Sequence, residues 1–263
     1  MIKFRAISNA DNWSGSDWTI TDEGELAKIV ARVALGQSRY AMKILQETGC
    51  QAYAPTDSAL DGAIKLLSSR NKDDPFHRDG WVFQVISWIA AHLQNPDSLK
   101  CSPHMIHAHK GFDGLHVCLD ESNKDVVSII ICEEKATGGP RGKITSKVWP
   151  EFSSLESGDR DNELVSEVTK LLAQSNHSDT DRAIHEVMWK QIRAYRISIT
   201  IGDDDNSEVG RKAVFKGYEN VVSGSDVTRR RAETFHRKNL RMWMRRFSAK
   251  AILAAKEMEV GDV

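Results

Sequence analysis

The feature that most constrains this chain is the run Val126-Val-Ser-Ile-Ile-Ile-Cys132, followed at once by Glu133-Glu134-Lys135. β-Branched aliphatics favour an extended backbone, and a run almost without polar interruption predicts a strand buried on both faces. Such a strand belongs inside a sheet that helices cover above and below. It ends in three charged residues, and charge at the end of a buried strand must be paired or used. Side chains two apart on a strand share a face, so Glu133 and Lys135 point together while Glu134 points away.

The rest of the chain supplies the covering helices. Residues 1–22 carry Trp, Ser and Asp with no clear period and predict an edge strand plus a loop. From Glu23 to Thr48 the residues Leu26, Ile29, Val30, Val33 and Ala34 recur at helical spacing, continued past Gly36 by Met42 and Leu45 and stopped at Gly49. A second helix is capped at Thr56 or Asp57 and runs to about Ser68. After a loop closed by Pro75, a third covers Arg78–Leu93, with Trp81, Val85, Trp88 and Ile89 on one face. Short strands are expected at Met105–His109 and Leu115–Leu119, and a Gly/Pro/Ser-rich loop over 136–160. Helices at Asp161–Gln174 and Asp181–Arg193, a strand at Tyr195–Ile201 and a solvated acidic turn at 202–206 follow. A long basic helix, Val227–Met258, closes the chain. Strands flanked by helices on both sides predict an α/β fold.

With 263 residues, 40% hydrophobic and 28% charged, the chain has the length and composition of a soluble protein of one large domain or two small ones. It has no apolar stretch long enough for a membrane span, and Met1–Ala10 has no secretory apolar region. Four scattered cysteines fit reduced thiols, so a cytoplasmic protein is expected. A net charge of −1 excludes a chain basic throughout, but not a locally basic face.

The chemistry concentrates around Asp113, which lies at the mouth of the Leu115–Leu119 strand. If that strand and the Val126 strand form a hairpin, Asp113 approaches Glu133 and Lys135. Clustered carboxylates repel unless a cation lies between them. Oxygen ligands of this kind suit Mg²⁺ (or Mn²⁺), which keeps waters and favours phosphate substrates. Lysine can orient water and offset developing negative charge. The arrangement therefore reads as a phosphodiester-hydrolysis site.

Asp113 together with the only (D/E)-X-K triplet of the chain, Glu133-Glu134-Lys135, resembles the PD-(D/E)XK nuclease superfamily. The resemblance spans roughly residues 78–201 and implies a restriction-endonuclease-like αβββαβ core. Phe112 stands where the motif name has Pro. Asp113 matches the first acid, Glu133 the second and Lys135 the lysine; Asp113 and Glu133 would hold the metal. Glu134, His116 and Asp79 are further candidates, Asp79 and Gln84 being the polar residues of the first core helix. On this reading 1–75 is an N-terminal helical region, 76–205 the nuclease core and 206–263 a basic helical segment packed on it. More loosely, Gly111-Phe-Asp-Gly-Leu-His116, Glu133-Glu-Lys-Ala-Thr137 and the helix holding Arg241-Met-Trp-Met244 resemble bacterial anti-phage defence nucleases, in particular the nuclease subunit of Hachiman-type systems. That resemblance implies DNA as substrate and a superfamily-2 helicase, an ATPase, as partner.

Between Ser225 and Glu257 ten basic residues face three acids, an excess suited to tracking phosphates. Arg229, Arg230, Arg237, Arg241 and Arg245 there, with Arg141, Lys143 and Lys147 in the glycine-rich segment, are candidate nucleic-acid contacts. The same segment also supports a different class of protein, a non-catalytic subunit that docks a partner through its arginines. Cys101, His104, His107 and His109 are zinc-ligand types, but their spacing matches no standard finger. No Walker loop is present.

Overall fold

The computed structural model describes residues 1–48, 53–69, 75–107, 111–122, 125–175, 177, 185 and 192–260. Its frame is one mixed sheet of seven strands: β1 (Ile2–Asn9), β2 (Trp13–Ile20), β3 (Leu99–Lys100), β4 (Gly114–Leu119), β5 (Val126–Lys135), β6 (Arg193–Ile201) and β7 (Arg230–His236). Their spatial order is β1-β2-β7-β6-β5-β4-β3. The four inner strands β2, β7, β6 and β5 run parallel to one another, and each edge is completed by antiparallel neighbours.

The aliphatic run forms β5, as its sequence requires, with Ile129 to Cys132 fully buried. Every residue of β6 beside it is buried as well. Two apolar layers cover the sheet. One packs α1 (Glu23–Ala34), α3 (Asp57–Leu67), α4 (Phe76–Gln94) and α10 (Leu240–Val260) against Trp18 and Phe235. The other packs α6 (Trp149–Ser157) and α7 (Asp161–Gln174) against Leu115, Ile129, Ile131, Tyr195 and Ile197. Each aliphatic side chain fully withdrawn from water contributes about 1.5–3 kcal/mol, so these layers dominate the stability. The α/β architecture is thus present, with helices on both faces of the sheet. No helix among the described residues is long and apolar enough to cross a membrane.

Several elements differ from the sequence expectation. Residues 1–20 form a hairpin, and β2 pairs with β7, so strands from the first, middle and last segments share one sheet. The hairpin is hard to read because its buried residues include Ser16 and Asp17, whose polarity is satisfied by hydrogen bonds. The helix expected from Glu23 to Thr48 is two, α1 and α2 (Ser38–Leu45), broken at Gly36 with φ +78°. Met105 and Ile106 form a bend rather than a strand, and both are exposed.

The expected loop 136–160 is helical. It consists of α5 (Pro140–Lys143), a π turn (Ile144–Val148) and α6, held down by buried Ile144, Val148, Phe152 and Leu155. The single long final helix is instead a 3₁₀ turn (Val227–Arg229), β7 and α10. Here too the strand was hidden by its polar residues, since Arg230 and Glu233 are buried. Most of the helix expected at Asp181–Arg193 lies outside the described residues, and Arg193 itself begins β6.

Candidate active site

β4 and β5 pair antiparallel with Gly114 opposite Cys132, and this register brings Asp113 beside the end of β5. Lys135 Nζ donates to Asp113 Oδ2 at 2.6 Å and to Glu133 Oε2 at 2.5 Å. The backbone N–H of Glu134 donates to the same Asp113 oxygen at 3.1 Å. The loop carrying Asp113 is tied to α4, because Gln84 Nε2 donates to the Asp113 carbonyl at 2.5 Å. Before it, Phe112 is buried and the Arg160 guanidinium lies over its ring at 4.9 Å. The three side chains expected from sequence thus meet at the carboxyl end of β5.

Their exposure is graded. The Asp113 and Lys135 side chains are 30% and 20% exposed, while Glu133 is 8% exposed. Burial, then the negative charge of Asp113, push Glu133 up to about 8, although Lys135 pulls the other way. Lys135 itself is raised above its usual range by the two carboxylates, which outweigh its burial. Two carboxylates and one ammonium leave the cluster short of positive charge.

Glu134 lies on the other side of the sheet, beneath α4. Ser87 Oγ donates to Glu134 Oε1 at 3.0 Å and lies within hydrogen-bond distance of Ser198 Oγ, also at 3.0 Å, and Arg196 donates to Ser87 Oγ at 3.1 Å. Burial and the charge of Asp113 raise Glu134 to about 7. Ser87, Ser198 and Arg196 were not picked out by sequence spacing. The available signal was a lone polar residue on an apolar element, as in Ile86-Ser87-Trp88 and Ile197-Ser198-Ile199.

The other candidates are placed elsewhere. Asp79 is fully buried between Arg78 and Arg241, where both guanidiniums claim its carboxylate. His116 is buried on the Glu134 side with Nε2 at 3.6 Å from Cys132 Sγ, and burial drives its pKa far down. His104 Nε2 lies 3.2 Å from the Phe112 carbonyl and His107 Nε2 lies 2.9 Å from the Leu66 carbonyl. His109 lies outside the described residues. Among the described residues no group of three or more His, Cys, Asp or Glu is placed to hold a metal ion.

Half of the candidate basic contacts are internal. Arg230 donates to the carbonyls of Asp11, Asn12, Val222 and Gly224 and is buried. Arg229 binds Glu156 and the Arg193 carbonyl, both at 2.8 Å. Arg141 donates to the Val214 and Lys216 carbonyls at 3.2 and 2.6 Å. Arg241 is shared between Asp79 and the Ala136 carbonyl. Lys143, Lys147 and Arg245 are exposed, and Arg237 is half-buried.

A groove of about 770 Å³ between the ends of α4 and β4 lies at the opposite end of the sheet. A cavity of about 90 Å³ lies beside Asp113, lined by Cys101, His104, Phe112 and Glu163. Another of about 480 Å³ opens just beyond Lys135, lined by Thr137, Gly202 and Arg237. No protein-family model, curated protein or solved structure matches this chain.

Proposed function

We propose that this chain is a metal-dependent nuclease that hydrolyses DNA phosphodiester bonds. The observation that carries the reading is Lys135 Nζ held between Asp113 and Glu133 at the end of a central strand. The topology supports it. In chain order α4, β3, β4, β5, α7 and β6 follow one another, with β3-β4-β5 antiparallel and β5-β6 parallel. With α5, the π turn and α6 set between β5 and α7, this order is compatible with an αβββαβ core of the restriction-endonuclease-like kind.

The donor chemistry suits Mg²⁺ or Mn²⁺. Mg²⁺ is commonly held by one or two carboxylates, with water and substrate phosphate completing the shell, so Asp113 and Glu133 suffice. Glu133 is raised first by burial and then by the charge of Asp113, and Lys135 alone leaves the carboxylate pair short of positive charge. A bound divalent ion would supply that charge, polarise the phosphoryl oxygen and make a bound water more acidic. Lys135 orients the attacking water and offsets the negative charge that grows on the phosphorus oxygens. The Glu134 amide and Gln84 keep Asp113 aimed at Lys135. Asp79 and Glu134 serve the scaffold in this scheme.

The proposal extends to anti-phage defence with a helicase partner, supported by the likeness of the Gly111–His116 and Glu133–Thr137 elements to such nucleases. The test is cleavage of plasmid, linear DNA and RNA by the purified chain at low salt, alone and with a helicase from its genomic neighbourhood. DNA cutting that requires Mg²⁺ and stops with EDTA is the expected result. Folded protein that cuts no DNA under any of these conditions would sink the reading.

A further inference from the structure

The parallel strands β5, β6 and β7 all end on one rim, and the crevice of about 480 Å³ lies there. Its walls include Thr137, Gly138, Gly202, Arg237, Lys238 and Arg241. In parallel sheets the crevice beyond the carboxyl ends of the strands is where ligands collect. The cations here differ in how they are paired. Arg241 is committed to Asp79, and Lys238 lies 3.7 Å from Asp203, which also binds His236 at 2.8 Å. Arg237 has no acid within ion-pair distance among the described residues. Its guanidinium is stacked over Phe235 and Trp243, 4.2 and 4.7 Å from their ring centroids. NH1 donates to the His236 carbonyl at 3.1 Å, while Nε is buried with no hydrogen-bond partner. Glu23, whose charge it feels, is already held by Trp243 and Lys250.

A half-buried guanidinium, set within reach of two aromatic rings and lacking a counter-ion, is costly unless an anion completes it. We infer that this crevice binds a backbone phosphate of the nucleic-acid strand being cut, with Arg237 as its main contact. The planar fork of a guanidinium matches phosphate oxygens. Gly138 and Gly202 leave open space where a Cβ would stand, so a bulky anion can approach the backbone. Thr137 lies two residues beyond Lys135, roughly 7 Å along an extended chain. Phosphates on one DNA strand recur every ~3.4 Å of axis, so a phosphate next to the scissile one falls within reach. The assignment of the strand rests on the nuclease reading; the anion site rests on Arg237 and the crevice.

The test is fluorescence anisotropy of an end-labelled single-stranded oligodeoxynucleotide, in EDTA to prevent cutting, across a salt series. Arg237→Gln keeps a flat polar head on the aromatic pair, Arg237→Lys keeps the charge, and Gly138→Asp puts a negative charge in the crevice without touching the stack. The expected result is about tenfold weaker binding for Arg237→Gln and Gly138→Asp. For Arg237→Gln the logarithmic salt slope should also be shallower by roughly 0.7. Arg237→Lys should restore most of that slope. Should Arg237→Gln fail to fold, Gly138→Asp and Arg237→Lys still decide the matter. Folded variants with wild-type affinity and slope would overturn the inference. Inorganic phosphate binding to wild type alone, with oligonucleotide affinity equal in all variants, would overturn the strand assignment. Weakened binding by the variants of a protein that never cuts DNA would keep the crevice and remove the nuclease.

Discussion

Lys135 is the centre of the site because it alone separates Asp113 from Glu133. Around it, the orientation is set by residues that touch none of the expected chemistry. Ser87 is one: it holds Glu134 and Ser198 and accepts from Arg196. Ser87→Ala would leave Glu134 Oε1 and a guanidinium proton without their partner, in a region with no water access. We expect a loss of about 1–3 kcal/mol, read as a lower midpoint in urea unfolding. A midpoint equal to wild type would show that Glu134 is held by other means. At this scale the charged residues were legible, because charge at the end of an aliphatic strand is conspicuous. Ser87 and Ser198 were not, because small polar residues acquire meaning only through partners far away in sequence, such as the 111 residues between Ser87 and Ser198.

At the scale of elements, α4 does more than cover the sheet. Its carboxyl-terminal turns bury His92 against Trp88, with ring centroids 4.3 Å apart, and neither imidazole nitrogen has a hydrogen-bond partner among the described residues. Burial lowers the His92 pKa from 6.5 to about 3. Below pH 6.5 the unfolded chain therefore binds a proton that the folded chain refuses. Stability is lost as pH falls from 6.5 toward about 3, by roughly 1.4 kcal/mol per unit for this group. His116, also lowered by burial, adds to the same trend. His92→Leu should flatten the decline of the thermal midpoint between pH 6.5 and 4; an unchanged decline would contradict this. The elements also show where sequence reading stops. β5 was plain because its residues are apolar on both faces. β7, Arg230-Arg-Ala-Glu-Thr-Phe-His236, reads as helix in the sequence because its buried polar groups are neutralised only by β2 and by the turns around it. The helical run after β5 was concealed by Gly138, Gly139, Pro140 and Gly142, although Ile144, Val148, Phe152 and Leu155 keep a helical spacing.

For the molecule as a whole, the sheet draws on both ends of the chain. Trp18 Nε1 and Ser16 Oγ from β2 both donate to Glu233 of β7, and Arg230 is capped by carbonyls of the first hairpin. The β2–β7 seam is tight at Gly15, where a Cβ would stand 1.8 Å from the Ala232 carbonyl oxygen. Gly15→Ala must therefore push the strands apart. It should cost about 3 kcal/mol or more, the upper end of what overpacking usually costs, and a thermal midpoint within a degree of wild type would refute the seam. β7, and with it Arg237, lies one strand away from β5, with β6 between them. The most direct measurement of the central claim compares single-turnover DNA cleavage in saturating Mg²⁺ by wild type, Lys135→Ala, Glu133→Gln and Glu134→Gln. Losses of roughly 10²–10³-fold are expected for the first two variants and less than about tenfold for Glu134→Gln, whose side chain faces α4. Equal rates in wild type and Lys135→Ala, or a larger loss in Glu134→Gln than in Glu133→Gln, would contradict that claim.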